Sequence, residues 1–168
     1  MKKILLPHTA IDDVIITSIV NIIGKKLTLT FTVKGSLKNY IFTKEQLIQR
    51  ANELWKATCF ELFLADSKNE GYYELNLSPS LAWNFYYLKH YRADEEEVLL
   101  ASEPTIQIVE DTNFYSIEFT LENFNFEIFD SCNLTAILLT KKDKRTFWSL
   151  KEMADTPDFH NRDYFINL

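Results

Sequence analysis

The sequence predicts an all-β protein, an antiparallel β-sandwich of the immunoglobulin-like or jelly-roll-like kind with one short helix. Three observations predict it. Aromatic residues make up 14% of the chain, 13 of them Phe and 8 Tyr, and aromatic and β-branched side chains favour strands. Apolar residues recur with a period of two in segment after segment, the spacing that sends alternate side chains to opposite faces of a sheet. Polar clusters such as DTN (111–113) and KKDK (141–144) interrupt these segments at close spacing, as the turns of a sandwich do.

The elements follow in order. Residues 15–23 and LTLTFTV (27–33) read as a hairpin through Gly24-Lys25, with Leu27, Leu29, Phe31 and Val33 inward and Thr28, Thr30 and Thr32 outward. The segment TKEQLIQRANELW (43–55) carries the one helical signal. Thr43 and Gln46 have capping-box spacing and Leu47, Ala51, Leu54 and Trp55 share a face, which predicts two or three turns ending near Ala51. Strands are then predicted over 58–65, 71–78, 82–91, 104–110, 113–121, 133–140 and 145–150, with ADEEE (93–97) as a polar connection.

A chain of 168 residues, 46% hydrophobic, buries a proper core without a metal or disulfide staple. With 3 Gly and 4 Pro spread along it, no repeat and no linker, it reads as a single domain over 1–168. The net charge of -6 argues against a nucleic-acid backbone or an anionic membrane as partner. The opening MKKILLPHTAIDD holds an apolar run too short for a signal peptide, and no stretch approaches membrane-spanning length, so the expected location is cytoplasmic. Cys59 and Cys132 stand apart from any Cys/His ligand spacing and read as free thiols packed as small hydrophobes. No cofactor is expected.

The motifs of phosphate loops, serine nucleophile elbows and HExxH metalloproteases are missing, and His8, His90 and His160 are far apart in sequence. The chain therefore reads as non-catalytic. Carboxylates for a glycosidase-like pair exist in Glu61, Glu74 and Glu118, but such a pair needs a defined separation that sequence does not give. Asp155, Asp158, His160 and Asp163 suit either a mixed metal site or a tail whose polar side chains bond its own backbone, and Met153 with His160 is a conceivable haem ligand set.

Two strands hold the more informative pattern. In YYELNLS (72–78), Tyr73, Leu75 and Leu77 face the core while Glu74, Asn76 and Ser78 form a polar row on the other face. In LWKATCFELFL (54–64), Glu61 alone interrupts a strand apolar on both faces, and an unpaired charge in such a place costs several kcal/mol. Trp55 lies six positions before Glu61, and Trp83 and Trp148 follow later, adding flat aromatic faces of the kind that cover sugar C–H surfaces while carboxylate and amide groups bond hydroxyls.

The segments 54–64, GYYELNLSPSLAWNFYYLKHYR (71–92) and FWSLKEMADTPDFH (147–160), with LLPHTA (5–10) near the start, resemble the DOMON-like domains related to family 9 carbohydrate-binding modules. The resemblance runs from near residue 5 to the end. It implies a β-sandwich and a non-catalytic module that binds a small-molecule ligand, a sugar. Trp55 matches the first stacking residue, Glu61 the carboxylate and Trp148 the second stacking residue, with Asn76 and Arg92 nearest to the amide and Arg positions. Glu61 then has three readings: an acceptor of ligand hydroxyls between Trp55 and Trp148, a buried acid tied to Arg92, Arg50 or a backbone amide, or a catalytic acid. The alternatives to carbohydrate binding are a haem- or metal-binding redox domain and a protein-interaction module using exposed strand edges.

Overall fold

In the computed structural model, which describes residues 1–44 and 47–168, the alternating segments are strands. In chain order they are β1 (Lys2–Pro7), β2 (Val14–Ile23), β3 (Lys26–Gly35), β4 (Gln49–Arg50), β5 (Cys59–Ala65), β6 (Tyr72–Leu77) and β7 (Ala82–His90). There follow β8 (Ala93–Glu97), β9 (Thr105–Asp111), β10 (Phe114–Leu121), β11 (Ser131–Leu139), β12 (Arg145–Ser149) and β13 (Ile166–Asn167). The expected hairpin of β2 and β3 is present, with Ile23 opposite Lys26 and Gly24 at a φ of 57°, a left-handed value that suits glycine.

The strands form one hydrogen-bonded path that curls until its halves face each other. Its order is β4-β7-β6-β5-β11-β12-β1-β2-β3-β10-β9. β1 is the corner: residues 2–5 pair with β2, and Leu6 and Pro7 pair with β12. The pairings are antiparallel apart from the short β4–β7 contact. The chain is therefore all-β, with short 3-10 turns as its helical content among the described residues.

Between the halves lies the main core, where alternate residues of each sheet interdigitate. Phe31 of β3 stacks on Phe60 of β5 at 5.1 Å, and Trp83 of β7 meets Phe119 of β10 at 6.0 Å. Both contacts cross from one half to the other. The half containing β5, β6 and β11 is buried on its second face as well. All seven residues of β5 are buried. The C-terminal segment crosses that face, packing Phe159 and Phe165 on Phe63, Tyr72 and Ile137. Arg162 ties the segment down by donating to the Asp66 carbonyl at 3.0 Å.

Two elements differ from expectation. The helix expected from Thr43 to Ala51 includes residues 45 and 46, among them the capping partner Gln46, which lie outside the described residues. Of the rest, Gln49–Arg50 is extended and pairs with Ala82 and Trp83, and a 3-10 turn over Leu54–Lys56 presents Trp55. Two backbone bonds, from Gln49 N to Leu81 O and Ala51 N to Trp83 O, outweigh helix propensity here. ADEEE is a strand, not a connection. Every residue of β8 is exposed, and it is held by pairing to β7, for which an edge strand needs no apolar face.

Phe31→Ala should cost about 3–5 kcal/mol in urea unfolding, as expected for removing a fully buried ring from a packed interface. A loss below about 1 kcal/mol would mean that the two halves do not close on each other at this point.

Candidate functional site

Antiparallel register places residues on the second face of the buried half in rows across the strands. Thr135, Glu61, Asn76 and Asn84 stand opposite one another on β11, β5, β6 and β7. The adjacent row holds Asn133, Phe63, Glu74 and Tyr86. Glu74 is thus the diagonal neighbour of Glu61. From these rows Glu61, Asn76, Glu74 and Tyr86 line a cleft of about 580 Å³.

Its walls come from three other places. The 3-10 turn at 54–56 brings Trp55 to one side, β12 brings Arg145 and Phe147, and the C-terminal segment brings Phe159 and His160 to the other side. Arg145 is held between two rings, 5.2 Å from Trp55 and 5.9 Å from Phe147. Arg92 stands at the rim, bound to Asp158 at 2.9 Å.

Four of the five expected binding residues, Trp55, Glu61, Asn76 and Arg92, line this cleft. The exception is Trp148. It is 1% exposed within the main core, and its Nε1 donates to Thr146 Oγ1 at 3.1 Å. Alternation along β12 corrects the expectation: side chains at 145 and 147 face the cleft and that at 148 faces the core, so Phe147 supplies the second aromatic wall. Trp83, another fully buried tryptophan, lies under the Arg50 guanidinium at 4.3 Å. Trp55 is 42% exposed.

Glu61 is 2% exposed and Glu74 is 7% exposed. Neither has the partner expected of a structural ion pair. Arg50 donates to Asn84 Oδ1 at 2.6 Å and to the Val98 carbonyl at 2.7 Å, and Arg92 is turned to Asp158. Glu61 Oε2 accepts from Thr135 Oγ1 at 3.0 Å. Cys59, one of two buried free thiols, is a weak donor beside it, with Asn76 Oδ1 at 3.8 Å. Glu74 Oε1 accepts from Asn76 Nδ2 at 2.8 Å, while Oε2 lies 3.9 Å from His160 Nε2, beyond a hydrogen bond.

Burial and mutual repulsion push the Glu61 carboxyl well above the usual carboxylate range, and burial raises that of Glu74. His160 moves the other way: burial and then the Arg92 charge lower its pKa to about 4. It is a neutral imidazole at pH 7. Its Nδ1 is 2.7 Å from the Tyr72 hydroxyl, which itself accepts from Arg92 N. In the tautomer in which Tyr72 donates to Nδ1, the imidazole proton sits on Nε2, on the side of Glu74.

Of the lining residues the expectation omitted, Glu74 was visible in the polar row of 72–78. Phe147 follows from parity along β12. Arg145 shares that parity, and His160, singled out in the sequence as a metal or haem candidate, is brought to the cleft by the course of the C-terminal segment. Among the described residues no three His, Cys, Asp or Glu side chains converge to hold a metal ion, and Asp158 serves Arg92 and Tyr91 instead.

No protein-family model matches the sequence, and no curated protein matches it. Among solved structures, the chain is similar to a protein from Bacteroides uniformis ATCC 8492 described as a "putative carbohydrate-binding protein". The TM-score is 0.66 at 11% identity, over 98% of this chain and 84% of that one. A family 9 carbohydrate-binding module from Caldicellulosiruptor kristjanssonii, in complex with glucose, gives a TM-score of 0.48 at 9% identity over 89% and 83%. The first likeness is one of fold.

The two raised carboxyls favour folding most when protonated, so their contribution is full below about pH 4.5 and is lost as pH rises through their folded values. His160, lowered in the fold, contributes fully above about pH 6.5 and loses this as pH falls through about 4. Urea unfolding of Glu61→Gln against wild type should therefore show a difference that grows in favour of the variant from pH 5 to pH 9, by about 1 kcal/mol or more. A difference independent of pH would show that Glu61 is ionised in the fold without cost.

Proposed function

We propose that the chain is a non-catalytic carbohydrate-binding module of the family 9 kind, taking one sugar residue or chain end in this cleft. One observation carries the reading. At the floor of a cavity of small-molecule size, beneath aromatic walls, two buried carboxyls line the space, each with one oxygen bonded to a neighbouring hydroxyl or amide. Floor oxygens suit sugar hydroxyls, which donate and accept. The faces of Trp55 and Phe147 suit the C–H surface of a pyranose ring, and Asn76, Tyr86 and Arg92 add neutral and cationic hydrogen-bonding groups around it.

The fold likeness to a Bacteroides uniformis protein described as carbohydrate-binding is consistent with this reading and does not carry it. The chemistry of the cleft favours holding over turnover. Glu61 is bonded to Thr135 and Glu74 to Asn76, so each floor acid is held in place by a neighbouring side chain. A paired-carboxyl hydrolase needs two acids driven apart in pKa, whereas burial drives these two in the same direction.

Tryptophan emission tests the reading directly, because Trp55 lines the cleft and the other two tryptophans are buried. Titration with a panel of mono- and oligosaccharides should give a saturable change in wild type. Trp55→Ala should lose that signal and weaken binding by calorimetry about tenfold or more. No emission change and no heat of binding with any member of the panel would refute carbohydrate binding at this site.

A further inference from the structure

We infer that the cleft is built for an amine-bearing sugar, a hexosamine with a free ammonium group, seated between Glu61 and Glu74. This rests on the carbohydrate reading and narrows it to a ligand class.

Charge at the floor sets the constraint. Glu61 and Glu74 are both more than nine-tenths buried, yet both line the open cavity. Among the described residues, no N–H or O–H donor reaches Glu61 Oε1, and Glu74 Oε2 has at 3.9 Å only a neutral imidazole. The cations around the cleft are engaged elsewhere. Arg92 is bound to Asp158, Arg50 to Asn84 and Val98, and Arg145 to the Trp55 carbonyl and the two rings. Glu95, also a lining residue, adds a further acid beside Glu74.

Arg92 acts on the buried acid pair only through space, and a pair that no cation bonds directly among the described residues has two ways to be satisfied: it keeps a proton, or it receives a cation. A neutral sugar leaves the first state in place and uses the carboxyls only as ordinary hydrogen-bonding groups. An ammonium displaces the proton, carries three donors and forms charge-assisted bonds to both free oxygens at once. Diagonal positions on adjacent strands lie about 7–8 Å apart, close enough for two glutamate side chains to converge on one nitrogen. The aromatic walls, on which Arg145 already rests, flank the ring that bears it.

Calorimetry on the wild-type chain at pH 7 with glucose, glucosamine and N-acetylglucosamine separates the possibilities, since the three share one ring and differ at one substituent. Galactose and galactosamine, with oligomers of glucose and of glucosamine, extend the comparison to other hydroxyl orientations and lengths. The amine ligand should bind about tenfold or more tightly than its hydroxyl and acetamide counterparts. Glu74→Gln and Glu61→Gln should each reduce that preference while neutral-sugar affinity changes less. Neutral sugars binding as tightly as the amines would overturn this inference and leave the carbohydrate reading intact. Binding by none of the sugars, neutral or cationic, would overturn both. The decisive comparison uses the unaltered chain, so it stands even where a variant fails to fold.

Discussion

The structure depends on one half of the sandwich being buried on both faces. A strand covered on one side alternates apolar and polar residues; β5, covered on both, is buried at every position. Phe60, Leu62 and Leu64 enter the main core, while Cys59, Glu61, Phe63 and Ala65 face the second layer. That layer is made by the C-terminal segment, with Phe159 and Phe165 as its apolar anchors and Arg162 as its polar one. The cover is incomplete. The C-terminal segment ends over the Phe63 and Tyr72 side of the sheet, the turn carrying Trp55 closes the other side, and the cleft is the gap left between them.

Placing two acids in that gap runs against the stability of the fold. Each ionised carboxylate on a nearly buried floor would be costly without a cation bonded to it, and here the donors to the two acids are the Thr135 hydroxyl, the Asn76 amide and the weak Cys59 thiol. The rim shows the contrast. Asp158, more open to solvent and bound by Arg92 and Tyr91, has its pKa lowered. The same kind of group is stabilised as an anion at the mouth and destabilised as one at the base. A carboxyl held against its own solvation at the floor of a cavity is the pattern on which the proposed binding role rests.

Much of the fold was legible in the sequence because it rests on alternation, and alternation survives in any residue type. The nine strands read from period two correspond to β2, β3, β5, β6, β7, β9, β10, β11 and β12 with ends shifted by a residue or two. Four strands, β1, β4, β8 and β13, were not read from the sequence, and two of them rest on pairing alone. β4 and β8 have no apolar face, so nothing in QR or ADEEE distinguishes an edge strand from a loop. In the site, Glu61, Asn76 and Glu74 could be read from the strands that carry them. Trp148 could not be placed by its type, because its side of β12 is set by register with β11, where Ala136 opposes Trp148 and Ile137 opposes Phe147. One residue of parity separates a core tryptophan from a cleft phenylalanine.

The cleft is also electrically uneven along its depth. Its base carries Glu61 and Glu74, and on the β12 side Arg145 lies over Trp55 and Phe147. By occupying both rings, the guanidinium sets how far a ligand ring must push in to reach the same surfaces. For the proposed ligand, polar at one end and flat along its body, this order of groups favours donors down on the carboxyls and a C–H face against the wall. Orientation is thus imposed by the order of groups along the cleft, acids on strands β5 and β6 and aromatics on β12 and the 54–56 turn. That order follows from which strands are neighbours in the curled sheet.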